Sequence, residues 1–280
     1  MSVELNPLYL QQLRKEINPI LSVESNTESM EGFFDTLKNI IPNTIKAFFS
    51  FTNSLSFKNS VVKGLDSKWV NVIKKDIIQH PYLDVVDKIA FAPPYYTGTY
   101  LQYVELLKEM VTYNNGLIAR IEAFDITIGR IISTPTGQLK DFTKEISEYS
   151  KWSTGRNTLK NTLASLYTGK STNDAVPYGN VIKRQADWDE VLKGLVEIEK
   201  GINQIDNKKL MKQLDILAEH LAILKEMIEK GSISNPGKDF NKQVAQGTLE
   251  MAEQIEFYAL MRYQYDILLT CVQRTAEHFK

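Results

Sequence analysis

The feature that most constrains the fold is the spacing of apolar residues in the final third of the chain. Two series recur at alternating intervals of three and four residues, which is the spacing of one face of an α-helix. They are Trp188, Leu192, Leu195, Ile198, Ile202 and Ile205, followed by Leu210, Leu214, Leu217, Leu221, Leu224 and Ile228. The link at 204–208 is short, which predicts that the two helices return antiparallel as a hairpin within the chain.

Helical patterns continue through the rest of the sequence. Apolar spacing predicts a long helix over 99–132, which Asn114-Asn115-Gly116 can interrupt, and a long final helix over 239–279. Shorter helices are predicted over 8–17, 32–57, 67–79, 82–91, 138–149 and 156–167. No segment shows a convincing strand alternation. The sequence therefore predicts an all-α multi-helix bundle with long antiparallel helices, a C-terminal helical hairpin and a long final helix.

Composition shifts divide the chain into three predicted regions. Residues 1–31 form an acidic leader, because they carry five acidic and two basic side chains. Residues 32–170 form an N-terminal helical region, and residues 171–280 form the heptad-like region, which is expected to share one core with it. The boundary is placed in a predicted loop over 168–180, which holds Gly169, Pro177 and Gly179.

Charge and cysteine content exclude several classes of protein. Lys and Arg number 33 and Asp and Glu number 34, so the net charge of -1 disfavours a dedicated nucleic-acid binder. The single cysteine, Cys271, excludes an internal disulfide and a Cys-based zinc site. No apolar run approaches the roughly 18–20 residues that span a bilayer, and no secretory signal is recognised. We therefore expect a soluble protein in the cytoplasm of a cell.

Motifs for catalysis are weak. Residues 164–171, Ala-Ser-Leu-Tyr-Thr-Gly-Lys-Ser, match a relaxed phosphate-binding loop, but a helical pattern precedes them where that loop needs a strand. The three histidines are too scattered in the sequence for a metal cluster, so His220 is interpreted as a polar residue beside the apolar face of its helix. Cys271 lies on an apolar helix face and is interpreted as a buried small hydrophobe. We expect no enzyme activity, no cofactor and no metal.

Two aromatic groups are candidates for contacts. Phe33, Phe34, Phe48, Phe49 and Phe51 share one face of the predicted helix over 32–57, among a few lysines. Such a face is either core or a surface that binds a partner or a membrane. A second group is expected to pack between helices or to contact a protein; it comprises Tyr95, Tyr96, Tyr100, Tyr103 and Tyr113.

The leader carries a repeated tripeptide. Ser-x-Glu occurs at 2–4, 22–24 and 29–31 and nowhere else in the chain. This arrangement resembles the internal head proteins of phiKZ-like giant tailed bacteriophages, whose N-terminal propeptides are removed by a prohead protease that cuts after Ser/Ala-x-Glu. The resemblance implies cleavage after Glu24 and Glu31. It would remove a net charge of -3 and leave a body of +2, as suits packing beside DNA.

The leading interpretation is a non-enzymatic α-helical structural or interaction protein, with a virion internal head protein as its most specific form. Its partners would be capsid or other phage proteins, and its location the host cytoplasm and then the virion interior. Two alternatives remain open at this point. One is an intracellular helical adaptor that recognises a host or phage protein, and the other is a membrane-active protein that uses the Phe-rich helix.

Overall fold

A computed structural model describes residues 89–134, 148–169, 174–230, 232 and 238–278. Helix accounts for 81% of these residues and strand for 4%, which confirms the all-α class. In chain order the elements are β1 (Ile89–Phe91), α1 (Tyr100–Asn114), α2 (Leu117–Ser133), a 3₁₀ turn (Tyr149–Lys151), α3 (Trp152–Ser165), β2 (Ala175–Pro177), α4 (Tyr178–Val181), α5 (Gln185–Gln204), α6 (Asn207–Glu229) and α7 (Lys238–His278). The helices predicted over 8–17, 32–57 and 67–79, and most of that over 138–149, lie outside the described residues.

Local signals in the sequence set where helices begin and end. Thr99 caps α1: its hydroxyl accepts the backbone N–H of Gln102 at 3.2 Å, and the Gln102 side chain accepts the backbone N–H of Thr99 at 2.8 Å. The long helix predicted over 99–132 is interrupted at Asn115 and Gly116, two of the three residues at which the sequence indicated a break. Asp187 in the first turn of α5 accepts the backbone N–H of Arg184 at 2.9 Å, which satisfies a donor at the helix start.

A small sheet corrects the helix predicted over 82–91 at residues 89–91, the part of it that the structure describes, and also corrects the prediction of a chain without strands. Strand β1 pairs antiparallel with β2, with Ile89 opposite Pro177 and Phe91 opposite Ala175. Strands of three residues are too short to show an alternating pattern, so the sequence carries no signal for them. The predicted loop over 168–180 is likewise wrong at β2 and at the start of α4.

Contacts from the far end of the chain hold β1 in place. The Arg274 guanidinium stacks over the Phe91 ring at 3.9 Å and forms an ion pair with Asp174, just before β2. The hydroxyl of Thr275 accepts the backbone N–H of Phe91 at 2.9 Å. Helix α7 therefore anchors both strands, and this tertiary anchoring overrides the helical pattern around residue 90.

The chain folds into two compact units that are built from alternating stretches. The first unit contains the described residues of Leu117–Ser153 and Asn207–Ile255. The second contains residues 89–116, Thr154–Asp206 and 256–278. Helix α7 thus supplies its N-terminal part to the first unit and its C-terminal part to the second.

Helices α2 and α6 pack together in the first unit. Lys209 pairs with Glu122, and further along both helices His220 approaches Gly129. Because the contacts advance in the same direction along both chains, the two helices are parallel.

Helices α1 and α5 pack together in the second unit and are also parallel. Gly194 lies against Val104 and Gly201 against Val111, seven residues further along each helix. Helix α7 runs antiparallel to α1, because Tyr113 contacts Phe257 whereas Tyr100 contacts Thr275.

The two heptad-like series lie on helices close to the predicted bounds. The sequence predicted that these helices, α5 and α6, pair with each other as a hairpin. The pairings in the structure are α5 with α1 in the second unit and α6 with α2 in the first. Apolar residues of both series are buried, including Trp188, Ile198, Leu210 and Leu224.

Candidate functional site

A cluster of hydroxyl-bearing side chains occupies one end of the second unit. Tyr100 and Tyr103 lie near the start of α1, and Tyr96 precedes them in the loop after β1. Tyr167 follows α3, which brings its hydroxyl to the same place. The tyrosine cluster comprises these four tyrosines with Gln264 and Thr275 of α7.

Hydrogen bonds join the cluster into two chains. The hydroxyls of Tyr103 and Tyr167 lie 2.7 Å apart, and both donate to Oε1 of Gln264, that of Tyr167 at 2.9 Å. The Tyr100 hydroxyl lies 2.8 Å from that of Thr275 and contacts the carbonyl of Phe91. Each phenol therefore has a partner inside the protein, as buried hydroxyls require.

The rings of the cluster also pack on one another. Tyr96 stacks on Tyr103 with ring centroids 5.0 Å apart, and Tyr167 meets Tyr96 edge-on at 5.6 Å. Tyr100 meets Trp188 of α5 edge-on at 6.1 Å. These are the favoured geometries of aromatic pairs, so the cluster joins α1, α5 and the loop after α3.

Burial keeps the phenols of the cluster protonated. It raises the pKa of Tyr96, Tyr100 and Tyr103 well above the usual range, and it raises the pKa of Tyr167 to about 12. A phenol with such a pKa stays neutral at neutral pH. The cluster can therefore donate and accept hydrogen bonds, but it does not supply a tyrosinate base or nucleophile.

The buried thiol of Cys271 is equally inert. Burial raises the pKa of Cys271 to about 12, so the thiolate that would attack a substrate or bind a metal is scarce at neutral pH. The prediction that Cys271 is a buried small hydrophobe is confirmed.

The first unit contains a second polar group, which we call the aspartate trio: Asp125, Gln213 and His220. Asp125 of α2 is 6% exposed. One carboxylate oxygen lies 2.7 Å from Nδ1 of His220, and the other accepts the Gln213 side-chain amide at 3.0 Å. A buried carboxylate between α2 and α6 is thus satisfied by two side chains that lie two turns apart on the same face of α6.

The geometry of the trio resembles part of a catalytic dyad, because a carboxylate orients an imidazole through Nδ1. Among the described residues, however, no group of three His, Cys, Asp or Glu side chains is arranged to hold a metal ion. The interpretation of His220 as a polar flank was incomplete, since its partner Asp125 lies 95 residues away in sequence. Asp125 itself carried a signal, as a lone charge between Phe124 and Ile126.

The predicted site residues fall into two sets. Glu24, Glu31 and the Phe-rich face lie outside the described residues; that face comprises Phe33, Phe34, Phe48, Phe49 and Phe51. The predicted tyrosine group is confirmed as helix packing at Tyr96, Tyr100, Tyr103 and Tyr113, all of which contact other rings. Tyr95 differs, because it is 47% exposed. Sequence reasoning missed Tyr167, Gln264 and Thr275, which only the tertiary structure brings to the cluster.

The phosphate-loop match has a structural explanation at its glycine. The first two residues of the match end helix α3, and a Cβ on Gly169 would lie 2.9 Å from the backbone oxygen of Tyr95. The N–H of Gly169 donates to that same oxygen at 2.8 Å. Gly169 is therefore required where two loops meet, while Lys170 and Ser171 lie outside the described residues.

Comparisons with known proteins identify no relative. A scan against models of protein families finds no match, and searches of curated proteins and of solved structures find no significant one. Within the described part of the chain, every helix is too short or too polar to cross a membrane.

Proposed function

We propose that this chain is a non-enzymatic α-helical structural protein, specifically an internal head protein that is packaged in a bacteriophage capsid after its N-terminal propeptide is removed. The observation that carries the proposal is the clustering of all three Ser-x-Glu tripeptides within residues 2–31. Cleavage after Glu24 or Glu31 would separate an acidic leader from a slightly basic helical body. The protein would pass from the host cytoplasm to the virion interior, with capsid proteins as its partners.

The surroundings of the potentially reactive tyrosine and cysteine side chains support the non-enzymatic part of the proposal. Burial keeps the phenols of the tyrosine cluster and the Cys271 thiol in their neutral forms. The hydrogen bonds of the phenols connect α1 to α7 and to the loop after α3, and those of the aspartate trio connect α2 to α6. Side chains held this way stabilise a fold; catalysis would need them near a substrate with a matched pKa.

The test is mass spectrometry of the N-terminus of the protein from purified virus particles. We expect the mature chain to begin at Ser25 or Gly32, the residues that follow Glu24 and Glu31. An intact Met1 in mature particles would contradict the proposal, as would a new N-terminus that does not follow Ser-x-Glu.

Matched variants locate the cleavage. Glu24→Gln combined with Glu31→Gln should leave the leader attached, because both recognition acids are lost. Glu28→Gln removes an acid between the two sites that follows Asn-x rather than Ser-x, so processing should continue. Equal processing of both variants would show that the tripeptide is not what the protease recognises.

A further inference from the structure

We draw no further inference here: the strongest candidate, the hydrogen-bonded pair of Asp125 and His220 between α2 and α6 of the first unit, belongs to the aspartate trio already described, and among the described residues its imidazole hydrogen-bonds no hydroxyl or thiol that would serve as a nucleophile.

Discussion

The α1/α5 pair of the second unit and the α2/α6 pair of the first share one geometry and differ in chemistry. Both pairs are parallel, and partners in both are about ninety residues apart in sequence, as for Val104 with Gly194 and Gly129 with His220. In the second unit, valines press into glycines that leave no room for a Cβ. In the first, a carboxylate, an amide and an imidazole join the helices. The parallel alignment of the two helices is thus stabilised by close approach of their backbones in the second unit and by polar side-chain contacts in the first.

Alkaline pH should produce the largest difference between the units. The second unit contains four buried tyrosines, Tyr96, Tyr100, Tyr103 and Tyr265, and the half-buried Tyr167, and burial raises the pKa of all five. Below a pH of about 10 the phenols are protonated in both the folded and unfolded chain, so their contribution to stability is constant. Above it the unfolded chain loses these protons and the folded chain keeps them. The free energy of unfolding then falls by about 1.4 kcal/mol per pH unit for each phenol.

The fluorescence of Trp188, in a variant whose other tryptophans are Phe, reports on the second unit at these pH values. We expect it to change cooperatively between pH 10 and 12, together with tyrosinate absorbance. Gradual ionisation near pH 10 without any fluorescence change would show that the phenols are accessible to solvent.

Asp125→Ala should be the most damaging single substitution in the α2/α6 pair. It leaves the side chains of Gln213 and His220 without their acceptor and opens a cavity, so we expect a loss of about 3 kcal/mol in urea unfolding. Asp125→Asn retains the size and one oxygen and should cost about 1 kcal/mol. Equal losses for the two variants would mean that the pairing contributes nothing beyond packing.

The glycines of the α1/α5 pair should respond differently. A Cβ on Gly194 would lie 2.2 Å from Cγ1 of Val104, and one on Gly201 would lie 2.3 Å from Cγ1 of Val111. Gly194→Ala combined with Gly201→Ala should therefore destabilise by about 2 kcal/mol, even though alanine favours helix. Gly179 has open space around it, so Gly179→Ala is the control and should change stability by less than about 0.5 kcal/mol.

Gly129→Ala should have the smallest effect and the opposite sign. A Cβ there would lie 3.5 Å from the His220 ring, which is an ordinary contact. The substitution should raise the free energy of unfolding by about 0.5–1 kcal/mol, because alanine stabilises the helix. Destabilisation by Gly129→Ala would mean that α2 and α6 pack as closely as α1 and α5. The two helix pairs would then not differ in how closely their backbones approach.

Local signals account for the parts of the fold that the sequence predicted. The cap at Thr99, the break at Asn115-Gly116 and the apolar series of α5 and α6 depend on neighbours within a few residues. The strands β1 and β2 were missed because each is three residues long and is held by Arg274 and Thr275, far along the chain.

The two polar groups show the same division. The spacing of the tyrosines of α1 indicates that they form a group. The apolar neighbours of Asp125 in the sequence indicate that it is a charge on a buried helix face. Their partners could not be predicted, because they lie far away in the sequence: Gln264, Gln213 and His220 on other helices, and Tyr167 in the loop after α3. The positive φ of Tyr95 also has no signal in the sequence, since tyrosine rarely adopts it.

By itself the sequence determined the all-α class and the approximate positions of the described helices other than α4, because periodicity and capping act over one or two helical turns. It also contained the Ser-x-Glu leader on which the proposed function depends. Only the tertiary structure decided which helices pair. A heptad-like series shows that one face of a helix is apolar, but the apolar face of any helix of similar length can pack against it. Helix α5 pairs with α1 where Gly194 and Gly201 pack against valines. Helix α6 pairs with α2 where the Asp125 carboxylate binds an amide and an imidazole.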